Sequence, residues 1–475
     1  MGYETVIGLE VHAQLRTASK IFCGCSTQFG DEPNSNTCPV CLGLPGSLPV
    51  LNQKTLEYAI TVGCALNCTI AERLKFDRKN YFYPDLPKAY QISQYDMPVA
   101  SGGHISIETD EGEKKIGITR AHLEEDAGKL LHEGIKDGTF VDYNRAGTPL
   151  LEIVSEPDLR TPQEAYTYLT MLKAILEYLE VSDCNMEEGS LRCDANISIR
   201  SKGEKSLGTK VEIKNLNSFK AVAHALEYEI KRQTDLIENG ETIVQQTRLW
   251  NEAKGVTILM RGKEEAHDYR YFPEPDLVPF TLSHKEVSAI EKKLPELPHE
   301  KKQRFLNEYG LSSYDATVLI QSKIMANFFE SCVKAGCEAK QVANWIQGEL
   351  LGSMNARNMS WETLPLSPEV FVALLKLIEE GSISGKIAKE VLPQMLDSGK
   401  SAATIVQEKS LTQVSDRDIL SDLADKVIAA SPQSVSDFKN GKKQALGALM
   451  GKIMKETKGK ANPQLVNKIL QEKLK

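Results

Sequence analysis

The opening stretch places two demands on any fold this chain can adopt. In ETVIGLEVHAQL (4–15), Ile7, Leu9, Val11 and Ala13 alternate with Gly8, Glu10, His12 and Gln14. A period of two belongs to an extended strand, whose successive side chains point to opposite faces. One face must bury in a core. The other carries a carboxylate and an imidazole about 6–7 Å apart, the rise of two residues. Such a pair can hold a metal or move a proton, and a solvated polar face is the alternative. The device recurs in SLRCDANISIR, where Arg192, Asp194, Asn196 and Ser198 alternate with Cys193, Ala195, Ile197 and Ile199. It recurs again in TKVEIKNLNS, with Lys210, Glu212 and Lys214 set against Val211 and Ile213. Glu152 stands between Leu151 and Ile153, and KIGITRAHLEED delivers His122, Glu124, Glu125 and Asp126. Together these predict a sheet with one apolar face and one mixed-charge floor. A solvated floor usually mixes in Thr, Ser and Gln. A floor of Glu, Asp, His and Lys suits a Mg-nucleotide, with carboxylates and imidazole on the metal and lysines on phosphates.

Immediately after the first strand come Cys23, Cys25, Cys38 and Cys41, spaced C-x-C, twelve residues, C-P-V-C. Two short turns that each aim two thiolates at one point give the tetrahedral set of a structural zinc site, closed to substrate. Gly43 suits the turn after the second pair because it can adopt positive φ. Two disulfides are the alternative, which an oxidising compartment would favour. The other six of the ten cysteines, Cys64, Cys68, Cys184, Cys193, Cys332 and Cys337, read as core residues.

The chain of 475 residues begins on a strand, with no basic and apolar leader, and contains no run of 18 apolar residues. This predicts a cytoplasmic protein without membrane attachment. The net charge of −8 is unevenly divided: Lys439–Lys475 holds ten lysines and two glutamates, +8, leaving −16 on residues 1–438. An acidic body that binds a polyanion must do so through such a local basic patch.

In order, Gln53–Cys68 has helical spacing. LKFDRKNYFYPDLPKAYQISQYDMPVA then reads as a loop in which Arg78, Lys79 and Lys88 sit among tyrosines and prolines. That composition suits phosphate contact with stacking on a base, or a packed surface loop. Short runs separated by turn signals, among them Lys136-Asp137-Gly138, continue to Glu152. Thr161–Leu179, with Pro162 near its start, and Phe219–Glu238 read as helices. HDYRYFPEPDL (267–277) is a second Arg-Tyr-Phe-Pro loop, and LPELPHE (294–300) marks a boundary beyond which everything is helical. The chain is therefore α+β, with boundaries at 1–293, 294–406 and 407–475. There is no G-x-S-x-G elbow and no serine cluster of an amide hydrolase, and GSISGKIA fails as a phosphate loop.

Seven words in order, GLEVHAQL (8–15), RKNYFYPDLPKAYQISQYDMP (78–98), DYNRAGTPLLEIVSEPD (142–158), EEGSLRCDANISIR (187–200), VEIKNLNS (211–218), HDYRYFPEPDL (267–277) and GKKQALGALMGKIMKETKGKANP (441–463), carry a resemblance. Across its whole length the chain resembles the B subunits of bacterial glutamyl/aspartyl-tRNA amidotransferases. The resemblance implies a cradle-like mixed α/β catalytic domain with a largely antiparallel sheet, an all-helical domain and a small YqeY-like tail. It implies ATP-dependent phosphorylation of the side-chain carboxylate of misacylated Glu-tRNA(Gln) or Asp-tRNA(Asn). Ammonia from the amidase or A subunit of a heterotrimer, which the small C subunit completes, then displaces phosphate. On this sequence it implies Glu10, His12, Glu125 and Glu152 as Mg2+ ligands or supports, the choice among Glu124, Glu125 and Asp126 being open by one position. Asp194 and Glu212 join Glu10, His12 and Glu125 as catalytic candidates. Arg78, Lys79 and Lys214 would face ATP phosphates or the ammonia channel. The four knuckle cysteines would hold zinc, and Lys439, Lys442, Lys443, Lys452, Lys455 and Lys458 would meet tRNA. A non-catalytic RNA-binding scaffold leaves the acidic floor without a role, and a stand-alone ligase or synthetase lacks a HIGH-like motif.

Overall fold

A computed structural model describes residues 2–131, 138–262, 269–409, 411, 417–439, 442, 444–457 and 461–474. The chain divides into two compact units, Met1–Lys301 and Lys302–Lys475. The division falls inside the Pro298–Tyr309 helix, a little past LPELPHE.

The first unit is built on a nine-stranded sheet. In chain order its strands are β1 (Tyr3–Gln14), β2 (Thr69–Ile70), β3 (Ala100–Thr109), β4 (Gly112–Glu125), β5 (Pro149–Ser155), β6 (Leu191–Ser201), β7 (Val211–Leu216), β8 (Gln246–Asn251) and β9 (Val256–Gly262). Across the sheet they run β9-β8-β7-β6-β1-β5-β4-β3-β2. Neighbours are antiparallel except β7 and β8. The first strand thus becomes a central one, between β5 and β6.

Alternation decides the faces. Ile7, Leu9, Val11 and Ala13 are fully buried and share one core with helices α1 (Gln53–Ala65), α2 (Pro162–Tyr178) and α3 (Phe219–Glu238). Burying each large aliphatic side chain there contributes about 1.5–3 kcal/mol. The helix ends follow from local chemistry. Thr161 Oγ1 accepts from the Glu164 N–H at 3.1 Å and Pro162 opens α2, while Ser218 Oγ accepts from the Ala221 N–H at 3.0 Å.

The stretch 78–98, read from sequence as a loop, partly forms strands. Asp77–Asn80 pairs with Tyr90–Ser93 on one side and with Phe272–Pro273 on the other. The second partner lies almost two hundred residues away in sequence, so no local pattern announces it. The turn signal at Lys136 and Asp137, and His267 and Asp268 of the second loop, lie outside the described residues.

Among its described residues the second unit is helical. Leu420, Val427, Leu449, Ile453, Val466 and Leu470 form a buried cluster of their own near the C-terminus. Among the described residues of the chain, no helix is long and apolar enough to cross a membrane.

Candidate functional site

Register brings the polar residues of β1, β4 and β5 into one row. His12 lies opposite Glu152, and Glu152 opposite His122. One pair along on the same face, Leu150 lies opposite Gln14 and Glu124. Four side chains converge as a result. His12 Nε2 is 3.3 Å from Glu152 Oε2 and 3.6 Å from Glu124 Oε1. His122 Nε2 is 3.4 Å from Glu152 Oε2 and 3.9 Å from Glu124 Oε2. Ligand atoms of His12, Glu124 and Glu152 all lie within 4.8 Å of one another.

His122, Glu124 and Glu152 are buried and His12 is half-buried, so their charges interact strongly. Burial drags the His12 imidazole down, but its hydrogen bond to Glu152 and the charges of Glu124 and Glu152 outweigh that and hold it above its ordinary value. Burial also opposes ionisation of Glu152, yet the His12 bond and the two imidazoles keep it well below the usual carboxylate range. Burial raises Glu124 despite His12. His122 is pulled down to about 4, chiefly by burial, and is a neutral imidazole at pH 7. Two carboxylates and an imidazole this close are a set that could hold a cation. The carboxylates are the hard donors Mg2+ prefers, and the imidazole is a softer one.

The structure leaves two expected ligands out of the cluster, Glu125 and Glu10, the latter being two residues along β1 from His12 and bonded to Asn196 instead. Glu125 is not in this row. The strict alternation of β4 puts Arg120, His122 and Glu124 on the polar face and turns Glu125 to the opposite side, with no bulge between Ala121 and Glu125. There Glu125 grips Lys88 Nζ with both oxygens at 2.5 Å and accepts the Ile92 N–H at 3.0 Å. Arg78 also departs from expectation. Its guanidinium, stacked 4.3 Å over Tyr90, is held by Glu274 at 2.7 and 2.9 Å and by Asp276 at 3.3 Å, so carboxylates already take its phosphate-binding fork. Arg120 Nη2 is the cation in contact with the row, 3.8 Å from Glu152 Oε1, and Lys79, the neighbour of Arg78, adds its charge nearby. The Lys79 Nζ lies 4.8 Å over the Tyr269 ring, and its charge acts on His122, Glu124 and Glu152.

The remaining floor residues lie further along β1 and on the strands β6 and β7 beside it. Glu10 Oε1 accepts from Asn196 Nδ2 at 2.7 Å. Asp194 and Glu212 hold Lys214 Nζ at 2.5 and 3.0 Å, and Thr247 donates to Glu212 at 2.7 Å. Burial alone would lower Lys214, but the two carboxylates hold it above its ordinary value. The sequence leaves the choice among Glu124, Glu125 and Asp126 open, and the register of β4 on β5 selects Glu124; His122, on the same face, is the residue that sequence does not single out for the site. Asp126, the third of those carboxylates, is buried and accepts from Gln14 and from Arg192 at 2.7 Å each. Arg192 faces His12 across β1 and β6.

The knuckle forms as spaced. The sulfurs of Cys23, Cys25, Cys38 and Cys41 lie within 4.8 Å of one another with no disulfide among them, the convergence of four on one point that a metal set needs. The Cys38 N–H donates to Cys41 Sγ at 3.1 Å. Buried Lys20 places Nζ 3.7 Å from the same sulfur, while bonding the Asn36 and Tyr143 carbonyls at 2.7 and 3.2 Å. A bond from Cys23, the Cys38 amide and the Lys20 charge bring Cys41 down to about 4 against burial. A cation beside a thiolate cluster is what a site of net negative charge requires, and the residues fit Zn2+. Gly43 has φ +66°, and a Cβ there would meet Lys88 Cγ at 2.3 Å.

Of the tail lysines, Lys452 and Lys455 are exposed on the Gln444–Glu456 helix, and Lys442 pairs with Asp437 at 3.1 Å. The Lys439 side chain, Lys443 and Lys458 lie outside the described residues.

Residues 5–288 match the family model described as the GatB/GatE catalytic domain, and residues 327–474 match that described as the GatB domain. Relatives match along the whole length. The aspartyl/glutamyl-tRNA(Asn/Gln) amidotransferase B subunit of Thermoanaerobacter sp. (strain X514) is 61% identical over 474 residues, covering 100% of both chains. Proteins of the same name from Carboxydothermus hydrogenoformans and Brevibacillus brevis are 57% and 54% identical, with 99% of each chain covered.

Proposed function

Because this chain belongs to the family of aspartyl/glutamyl-tRNA amidotransferase B subunits, we propose that the polar floor of its sheet activates the side-chain carboxylate of misacylated tRNA by phosphorylation from ATP. A carboxylate has no good leaving group, so ammonia cannot displace its oxygen directly. Transfer of the γ-phosphoryl group to a carboxylate oxygen, with release of ADP, gives an acyl phosphate. Ammonia then forms the C–N bond, and phosphate leaves with the C–O electron pair.

The observation that carries this reading is the convergence of His12, Glu124 and Glu152, with Lys79 beside them. His12, Glu124 and Glu152 would hold Mg2+, with His122 packed behind Glu152 as orienting support. Mg2+, when bound, supplies charge neutralisation for the phosphates. Lys79 offers a second positive charge where both reactants are anionic, and Asp126 fixes Arg192 at the edge of the row. Lys214 is tethered between Asp194 and Glu212 on the neighbouring strands and is available to the nucleotide. Glu10, bonded to Asn196, supports the floor. The four cysteines hold a structural zinc ion and take no part in the chemistry.

The chain carries no amide-hydrolysing nucleophile motif, so the ammonia comes from a glutaminase partner, the A subunit, with the small C subunit completing a cytoplasmic complex. The functional division is a catalytic cradle over 1–293, a helical domain over 294–406 and a tRNA-binding tail over 407–475. One experiment tests the whole. The chain, alone and with its two partners, is incubated with Glu-tRNA(Gln), ATP-Mg and either ammonium or glutamine, and ADP and Gln-tRNA are measured. The complex should use both nitrogen sources, and the chain alone should release no glutamate from glutamine. Amidation without ATP consumption would overturn the reading.

A further inference from the structure

One aromatic assembly beside the site takes no part in the chemistry proposed for the floor. Tyr95 and Tyr271 are stacked, with ring centroids 4.2 Å apart and planes inclined by 13°. Tyr269 meets Tyr271 edge-on at 6.2 Å, and Tyr81 meets Tyr269 in the same way at 5.8 Å. Tyr271 immediately precedes Phe272, which pairs with Arg78, so it sits beside the strand that carries Lys79, whose Nζ lies 4.8 Å over Tyr269. Tyr95 is the outer member, and it is 61% exposed.

A single exposed tyrosine is ordinary. This one differs in how it is held. The Tyr95 N–H donates to buried Asp77 Oδ2 at 3.1 Å, and Lys75 bridges Asp77 and Asp96 at 3.1 and 2.6 Å. Its backbone is therefore anchored on the Asp77–Asn80 strand, and its ring lies flat on Tyr271. Edge-to-face packing would present a ring edge, whereas parallel stacking covers one ring face and leaves the other open to a flat ligand. A tyrosine fixed in this way has little rotamer entropy left to lose on binding.

We propose that the open face of Tyr95 is a stacking platform for an adenine ring. This deepens the proposed function and rests on it, because both reactants of that reaction carry adenine, ATP in its base and the tRNA in its 3′-terminal nucleotide. In either case the base stacks on Tyr95, outside Tyr271, while the reacting group reaches past Tyr271 to the row of His12, Glu124 and Glu152. Lys79, 4.8 Å over Tyr269, offers a positive charge to the phosphates that join the two.

The test uses the assembled complex with Tyr95→Phe, Tyr95→Leu and Tyr95→Ala, and ammonium as nitrogen source. KM is measured separately for ATP and for Glu-tRNA(Gln). Base–aromatic stacking is strong enough that Tyr95→Ala should raise one KM roughly tenfold, with Tyr95→Phe close to the parent and Tyr95→Leu nearer to Ala. A rise confined to ATP assigns the platform to the nucleotide, and a rise confined to tRNA assigns it to the terminal adenosine. Unchanged values for both reactants, or a Tyr95→Leu variant that matches Tyr95→Phe, would overturn the platform. If the parent complex forms no amidated tRNA, the proposed function has failed by itself. Binding of ATP-Mg and of uncharged tRNA to the same variants then reads the platform without turnover, and equal affinities throughout would remove it.

Discussion

Lys88 and Glu125 are the sharpest place to test the physical basis of this fold, because both are charged and both are nearly enclosed. Their side chains are 8% and 5% exposed, and both carboxylate oxygens lie 2.5 Å from Nζ. Removing one partner of a buried pair strands the other charge, at a cost of about 3–5 kcal/mol. Unfolding entropy of roughly 2.1 cal/mol/K per residue, taken over the 301 residues of the first unit, gives about 0.63 kcal/mol/K. Each single change, Lys88→Met or Glu125→Gln, should therefore lower the melting temperature of that unit by about 5–8 °C. The double variant leaves no net charge behind. The amide oxygen that Glu125→Gln introduces can still accept the Ile92 N–H, which the carboxylate accepts at 3.0 Å, so the double variant should melt well above the sum of the two losses. Differential scanning calorimetry of the three variants beside the parent measures this. Strictly additive losses would refute the claim that the two charges are coupled and desolvated together.

Other outcomes follow from the same geometry. Cys38→Ser should lose zinc and thermal stability together, since a structural site of this type contributes on the order of 10 kcal/mol of folding-linked binding; elemental analysis of reduced, equally stable protein without zinc would contradict it. Glu152→Gln in the assembled complex should cut amidation by roughly 10²-fold or more while glutamine hydrolysis changes less, and near-normal amidation would return the floor to a solvated sheet face. Glu229, buried between Arg232, Thr257 and Gln233, has its carboxyl held below its ordinary value by those bonds in spite of burial. A depressed carboxyl contributes stability that is fully present above its unfolded value of about 4.3 and is lost as pH falls through the lower folded one. The melting-temperature gap between the parent and Glu229→Gln should thus be wide at pH 7 and close on acidification below about 4, and a gap independent of pH would count against it. Truncation after Val406 should weaken tRNA binding and flatten its dependence on salt, because the removed segment carries a net +5, with +8 concentrated in its last 37 residues. An unchanged salt slope would place tRNA recognition elsewhere.

Much of this was legible in the residues alone. The alternation around Glu10 and His12 fixes which side chains share a face, because backbone geometry leaves a strand no other choice. Proline and Thr161 mark the start of α2, and four cysteines at that spacing mark the knuckle. What the sequence could not specify is pairing. A strand carries its period but not its register, so whether Glu124 or Glu125 met His12 depended on how β4 lay beside β5 and β5 beside β1. Arg78 and Lys79 are adjacent and alike in charge, yet only the return of Glu274 and Asp276 from far along the chain ties up the first and leaves the second beside the carboxylates. Lys20 under the knuckle, and Tyr95 against Tyr271, are likewise contacts between segments distant in sequence. Period is a property of neighbouring residues and is written in them, whereas register, ion pairing and stacking are settled by which surfaces exclude water together, and that is decided when the whole chain packs.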